Sequence, residues 1–280
     1  MTKVNPVNKE EYPQSQCFDG IAVPIFARPR QQIRDNFKIR AETDIIVATY
    51  QKSGTTWTQN ILRHLLWPED TSNKVLADRV PWLSYPSPTF TEIEAMVNPR
   101  VFKTHDPAQW IDDIVAGTRA KIVFVYRSAR DVAVSYYKHM SLHPRMSASF
   151  QNFYRDMFRD PARCSHGLWE DHLAGYLAQR STRNMLVLRF EDMKEDLPRE
   201  IRKIAEFIGV EAKEELVQRI AEKTDFSYMK NDITCNYSHF YKHSEFMRCG
   251  KVGAWRGYLT EEQARDLEEV EKRIYEEFGV

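Results

Sequence analysis

The sequence predicts a three-layer α/β domain with a parallel sheet flanked by helices, and three observations lead there. Apolar runs end at Thr49, Tyr126 and Phe190. Each gives way to a segment whose apolar residues recur at helical spacing. No internal repeat or low-complexity segment interrupts the alternation, and strands alternating with helices imply βαβ crossovers.

Residues 1 to 44 are polar and carry Pro6, Pro13, Pro24 and Pro29, which predicts an extended arm laid over the core, with residues 1–20 loosely ordered. Ile45-Ile46-Val47-Ala48-Thr49 reads as a buried strand, and Trp57, Ile61, Leu62, Leu65 and Leu66 mark the helix that follows. Between them lies Lys52-Ser53-Gly54-Thr55-Thr56. Loop amides and the positive end of the helix dipole would face one point with Lys52 beside it, a cradle for phosphate. The Walker loop needs two glycines followed by Lys and Ser or Thr, whereas this loop has one Gly with the Lys before it, so an ordinary ATP or GTP loop is disfavoured. The stretch Pro68 to Pro88 and its flanks offer Trp67, Trp82, Tyr85 and Phe90 either to line a cavity or to pack the loop onto the core.

Val101–Thr104 is a short second strand running into His105-Asp106-Pro107. Lys121–Tyr126 is a third, ending at Arg127, and Ala129–Met140 then forms a helix with Val132, Ala133 and Tyr136 on one face. Met185–Phe190 supplies a fourth, and Ile201, Ile204, Ala205 and Ile208 mark a helix stopped by Gly209. Helices also fit residues 213–223 and 261–277, the latter with Thr260 as N-cap.

The 280 residues with 42% hydrophobic content fit one domain spanning 1–280. Forty basic and forty acidic residues give no overall pull toward nucleic acid or anionic membrane. The start lacks the apolar region of a signal peptide, and no run approaches the ~18 apolar residues of a membrane span, so a soluble, cytoplasmic protein is expected. Cys17, Cys164, Cys235 and Cys249 are scattered, which suggests reduced thiols rather than a disulfide framework or zinc site.

In open parallel sheets ligands collect beyond the carboxyl ends of strands. Here those ends deliver Lys52 with the loop amides, Lys103 with His105, and Arg127 with Ser135 a helical stretch later. Arginine grips phosphate bidentately and lysine follows charge as it shifts, so one site could hold a doubly phosphorylated ligand. His105, after an apolar strand, is the candidate general base. No histidine pair has metal-ligand spacing with a carboxylate partner, and no metal is expected.

At this point the chain resembles the cytosolic sulfotransferases, which move a sulfuryl group from 3′-phosphoadenosine 5′-phosphosulfate (PAPS) to a small acceptor, leaving PAP. Tyr50-Gln51-Lys52-Ser53-Gly54-Thr55-Thr56-Trp57 resembles the family's 5′-phosphosulfate loop, and Arg127 to Tyr137 its 3′-phosphate segment. Phe190-Glu191-Asp192-Met193 is similar to its Tyr-Glu-Asp-Met, and Arg248-Cys249-Gly250-Lys251-Val252-Gly253 to its closing Arg-Lys-Gly-x-x-Gly. The resemblance implies a P-loop-kinase-like fold and assigns roles. Lys52 would stabilise the departing phosphate, while Ser53, Gly54, Thr55 and Thr56 bind the 5′-phosphate. Trp57, Phe226 and Met229, the last two from the segment opened by Thr224, would hold adenine. Arg127, Ser135, Arg248 and Gly250 would hold the 3′-phosphate. His105 would be the base, and Lys103 would neutralise the sulfuryl oxygens.

Departures from the family pattern are Gln51 for Pro, Phe190 for Tyr near the nucleotide, Cys249 for Lys beside the 3′-phosphate, and Asp225 for a small hydroxyl residue near adenine. The vertebrate dimer motif reads here as Arg256, Thr260-Glu261 and Arg265, which implies a monomer or a dimer built otherwise. Asp106, where the family commonly has Leu, suggests a polar or cationic acceptor. Two rival readings are a P-loop nucleotide kinase or NTPase, disfavoured by the missing Walker pair, and a non-catalytic PAP or PAPS binder, disfavoured by the presence of both His105 and Lys52.

Overall fold

The computed structural model describes residues 12–70, 72, 74–238 and 246–280. Six strands form two sheets. β1 (Ser15–Phe18) and β2 (Ile21–Pro24) pair antiparallel as a hairpin. β3 (Ile45–Thr49), β4 (Val101–Thr104), β5 (Lys121–Tyr126) and β6 (Met185–Arg189) form a parallel sheet in the order β4-β3-β5-β6.

Alternate residues of β3 belong to different cores. Ile46 and Ala48 pack with Phe102, Ile122 and Phe124 against Ile111, Val132, Leu173 and Tyr176. Ile45 and Val47 pack with Val101, Val123 and Val125 against Ile61, Leu62, Ile201 and Ile204. A strand covered on both faces needs apolar side chains at every position, which is why β3 reads as a continuous run rather than an alternation. On the first face lie the helices Ala108–Val115, Ala129–Met140, Trp169–Gln179 and Glu261–Phe278; on the second lie Thr55–Leu66, Leu197–Ile208 and Glu214–Lys223.

Helix boundaries follow their caps. Asp196 accepts from the Arg199 N–H at 3.0 Å and Gly209 closes the same helix at φ +79°. Thr260 and Gln263 form a reciprocal capping box ahead of Glu261. Two expectations change. β6 stops at Arg189, and Phe190 opens the short helix Phe190–Glu195. The arm expected to be loose over residues 1–20 is ordered in its described part, where Ser15–Phe18 is a hairpin strand; residues 1–11 lie outside the described set. No helix among the described residues is long and apolar enough to cross a membrane.

The start of the sheet is held by a fully buried ion pair. Arg100 Nε donates to Asp44 Oδ1 at 2.9 Å and Nη2 to Oδ2 at 2.5 Å, both side chains being at 0% exposure. Arg100 also donates to the carbonyls of Lys38 and Ile93, so its charge and its donors are satisfied together. These residues immediately precede Val101 and Ile45, which face each other across the ladder. Removing one partner strands a buried charge. Asp44→Ala is expected to cost about 3–5 kcal/mol, read as a lower urea midpoint; a loss under about 1 kcal/mol would show that the pair does not pin the strands.

Candidate active site

Register decides what converges. Ala48 lies opposite Thr104, Thr49 opposite Val125, and Tyr126 opposite Arg189, so the segments after β3, β4 and β5 emerge side by side. They open into one cavity of about 1510 Å³.

After β3 the backbone turns through Lys52 at φ +66° and Gly54 at φ +106° into the helix Thr55–Leu66. Gly54 is required there twice over. Its backbone is left-handed, and a Cβ would come within 3.0 Å of the Phe190 ring and 3.9 Å of Val125. No side chain caps this helix. Its first N–H groups are therefore available to an anion in line with the helix dipole. Thr55 Oγ1 is tied to Thr49 Oγ1 at 2.6 Å, and Thr55, Thr56 and Trp57 all line the cavity. Ser53 is the exception among the expected site residues: it does not line the cavity, and its hydroxyl is buried with no hydrogen-bond partner among the described residues.

After β4, Lys103 and His105 face the same space. His105 Nδ1 lies 2.9 Å from the Thr49 carbonyl oxygen. A carbonyl only accepts, so Nδ1 carries the proton and Nε2 keeps a lone pair. Burial, then Lys103 and His166, hold His105 well below the ordinary imidazole range, so it is neutral near pH 7.

After β5, Arg127 stands 4.2 Å over the Phe190 ring and donates to the carbonyls of Lys52 and Lys251. Asp131, one turn on, accepts from the N–H groups of Gly253 and Trp255. Those bonds bring the Arg248-Cys249-Gly250 segment to the cavity wall. Gly250 packs so closely on Phe226 that a Cβ would overlap its ring at 2.4 Å. Ser135, Thr224, Phe226, Met229 and Phe190 complete this half, with Trp57 edge-on to Phe190 at 5.4 Å. The Thr224 hydroxyl donates to the Ile220 carbonyl at 2.7 Å, which commits its proton within the helix.

The electrostatics are those of an anion site. Among the described residues neither Lys52 nor Lys103 has a carboxylate within ion-pair distance. Burial, then Arg127, Lys103 and Arg248, push the Lys52 ammonium down to about 7, and burial pushes Lys103 down to about 8. Lys52 Nζ lies 4.3 Å from the Phe246 ring and Lys103 Nζ 5.1 Å from Trp82. These aromatic faces supply weak cation–π partners in place of carboxylates.

Some expectations do not hold. Of the four aromatics offered for a cavity, Trp82 and Tyr85 line it, while Trp67 and Phe90 pack against Arg79 and Arg28. Asp106 does not line it either: its carboxylate accepts from Ser84 at 2.5 Å and Thr104 at 2.8 Å inside the protein. Its charge therefore gives no ground for a polar or cationic acceptor. Sequence reading passed over His139, which lines the cavity on the helix carrying Ser135, and Phe246 beside it at 5.6 Å. The four-residue spacing from Ser135 was the available signal for His139.

A sulfotransferase domain model matches residues 42–279. Rabbit amine sulfotransferase is 34% identical over 257 residues, covering 87% of this chain and 82% of that protein. Rat sulfotransferase 1 family member D1 is 33% identical over 282 residues, 94% of each. Among solved structures, retinol dehydratase in complex with retinol and PAP is similar with a TM-score of 0.73 and 27% identity, over 87% of this chain and 84% of that one. A mouse sulfotransferase, SULT7A1, complexed with PAP shares the fold with a TM-score of 0.79 at 22% identity, over 94% and 95%.

The depressed Lys52 ammonium has a consequence in the ligand-free protein. A lysine lowered from 10.5 to about 7 in the folded state costs stability in full below pH 7, and the cost fades as pH rises to 10.5. Lys52→Met should therefore stabilise the protein at pH 6, by less than the roughly 5 kcal/mol the whole shift represents because the side chain lines an open cavity, with the gain vanishing near pH 10.5. Urea unfolding across that range measures it, and a pH-independent gain would refute the charge-burial account.

Proposed function

The chain belongs to the sulfotransferase family, and we propose that it moves a sulfuryl group from PAPS to a hydroxyl or amine of a small acceptor by in-line displacement, with His105 as general base. One observation carries the reading: a neutral imidazole whose Nε2 lone pair has no partner among the described residues shares a cavity with Lys52, Lys103, Arg127 and an uncapped helix N-terminus. That combination provides proton removal and anion stabilisation together.

In this reading the nucleotide lies along the half bounded by Trp57, Phe226, Met229, Arg127, Ser135, Arg248 and Gly250, with Cys249, Phe190 and Thr224 as packing around it. Gly54, Thr55 and Thr56 offer backbone N–H groups to the 5′-phosphate, and Ser53 supports the loop from beneath. The buried, unpaired Ser53 hydroxyl and the uncapped helix are the features that suit an anion here. The acceptor lies toward Trp82, Tyr85, Tyr136, Met140 and Tyr237, walls that suit a flat apolar body.

The transfer balances simply. The acceptor oxygen or nitrogen bonds to sulfur as the bond from sulfur to the bridging phosphate oxygen breaks. That electron pair stays on the 5′-phosphate of PAP, where Lys52 stabilises it. His105 Nε2 takes the acceptor proton, and Lys103 balances charge on the sulfuryl oxygens. An amine attacks as its free base, since the surrounding cations disfavour an ammonium ion. The 34% identity to an amine sulfotransferase supports nitrogen among the acceptors. One domain over the whole chain and a cytoplasmic setting belong to the same reading.

Labelled PAPS incubated with pooled phenols, alcohols and amines should yield labelled product from at least one pool. His105→Ala should then lower turnover by roughly 10²–10⁴-fold with PAP affinity, by calorimetry, within twofold of the parent. Near-normal turnover in that variant would remove His105 as the base.

A further inference from the structure

Three side chains from separate segments meet behind the proposed base. Gln51 directly precedes Lys52, Asp106 directly follows His105, and His166 sits in the turn before Trp169–Gln179. His166 is 1% exposed, Asp106 is 3% exposed, and His166 adopts φ +67°. A left-handed buried histidine persists only where its surroundings over-determine it. The His166 N–H donates to the Ala22 carbonyl at 2.7 Å, and its ring lies 5.8 Å from His105 and 6.0 Å from Trp82.

The hydrogen bonds run in a determined direction. Gln51 Nε2 donates to the Ser165 carbonyl at 2.6 Å and stands 3.2 Å from His166 Nδ1. An amide nitrogen only donates, so Nδ1 accepts from it; the Ser165 hydroxyl, 3.0 Å from the same nitrogen, donates there too, and the His166 proton sits on Nε2. That nitrogen has no hydrogen-bond partner within reach among the described residues, and Asp106 Oδ1 lies 3.9 Å away. Asp106 Oδ2 is committed to Ser84 and Thr104. Tyr136, next to Ser135, hydrogen-bonds Ser165 and the Gln51 side chain. Burial holds His166 down at about 4 against the pull of Asp106, so the ring is neutral and its tautomer matters.

We propose that Gln51, His166 and Asp106 are positioning residues: one directional polar network that fixes the ends of β3 and β4 relative to each other, so that a change at Asp106 is felt at the Lys52 loop. The proposal rests on the reading of Lys52 and His105 as the residues that act on donor and acceptor. Gln51 also lines the cavity, whereas Asp106 and His166 do not, so a loss of PAP affinity on changing Asp106 or His166 is transmitted through the network.

Direction makes the network brittle. In Asp106→Asn, Ser84 and Thr104 still require an acceptor, which turns the new NH₂ toward His166 Nε2–H. Donor then faces donor. Moving the proton to Nδ1 sets it against Gln51 N–H, and turning the Gln51 amide over sets its oxygen against the Ser165 carbonyl. A proton on Nδ1 can turn to Ser165 Oγ, 3.0 Å away, but the Gln51 N–H then loses its acceptor on the ring, so each rearrangement breaks one of the present contacts, which is the condition under which single changes couple at a distance.

The test combines two readouts on the full chain. Imidazole ¹⁵N NMR, with the His166 signals assigned by their loss in His166→Asn, should show the Nε2–H tautomer in the parent and a different state in Asp106→Asn. Calorimetry with PAP should show Asp106→Asn and Gln51→Ala each weakening affinity about tenfold, with the double variant no weaker than about tenfold. If Asp106→Asn does not fold, His166→Asn takes its place in the cycle, because Asn tolerates the left-handed backbone but cannot span from Gln51 to Asp106. The proposal is overturned by an Nδ1–H tautomer in the parent, by unchanged PAP affinity in Asp106→Asn, or by single effects that multiply to about a hundredfold. Absence of PAP binding to the parent would instead overturn the donor assignment, and the tautomers would still decide the network.

Discussion

Parallel pairing of β3 with both β4 and β5 is the constraint from which the site follows. Parallel strands all release their chains at the same edge, so three separate segments must turn within one small region. Each crossover needs a helix, the helices cover both faces, and the strands must then be apolar throughout. The buried Asp44–Arg100 pair holds the opposite end of the same ladder. One register thus fixes the two cores and the meeting of Lys52, His105 and Arg127.

That convergence places cations where they repel. Lys52 and Lys103 share a cavity with Arg127 and have aromatic rings rather than carboxylates as their near neighbours. Asp131, the carboxylate closest to Arg127, is occupied by the N–H groups of Gly253 and Trp255. It anchors a loop while offsetting Arg127, and Lys52 and Lys103 are left without a carboxylate partner among the described residues.

Most of this architecture was legible in the sequence because buried parallel strands leave an unmistakable run. Val101–Thr104 and Lys121–Tyr126 were readable to the residue, as was Ala129–Met140. Gly54 and Lys52 were legible as a loop because Gly marks a backbone that other residues resist. The hairpin Ser15–Pro24 was not, since two four-residue strands, Ser-Gln-Cys-Phe and Ile-Ala-Val-Pro, are too short to show a periodicity. Orientation was the other limit. Asp106 beside His105 looked like an acceptor ligand, yet in an extended segment neighbouring side chains face opposite ways, and Ser84 was close only in space. Gln51 was read only as a departure from the family's Pro, whereas its amide ties the loop to Ser165 and His166.

On the proposed reading, the same electrostatics impose an order on the chemistry. Before a donor binds, Lys52 near 7 is only partly protonated and the depressed His105 is neutral. A multiply anionic nucleotide reverses the balance: it favours protonated Lys52 and raises the affinity of His105 for a proton. The base therefore strengthens, and the leaving-group cation becomes fully charged, only when the group to be transferred is in place. An acceptor entering first meets a weak base and repelling cations, with nothing to attack. The cavity thus couples activation to donor occupancy through charge alone, and the strand register supplies the proximity that this coupling needs.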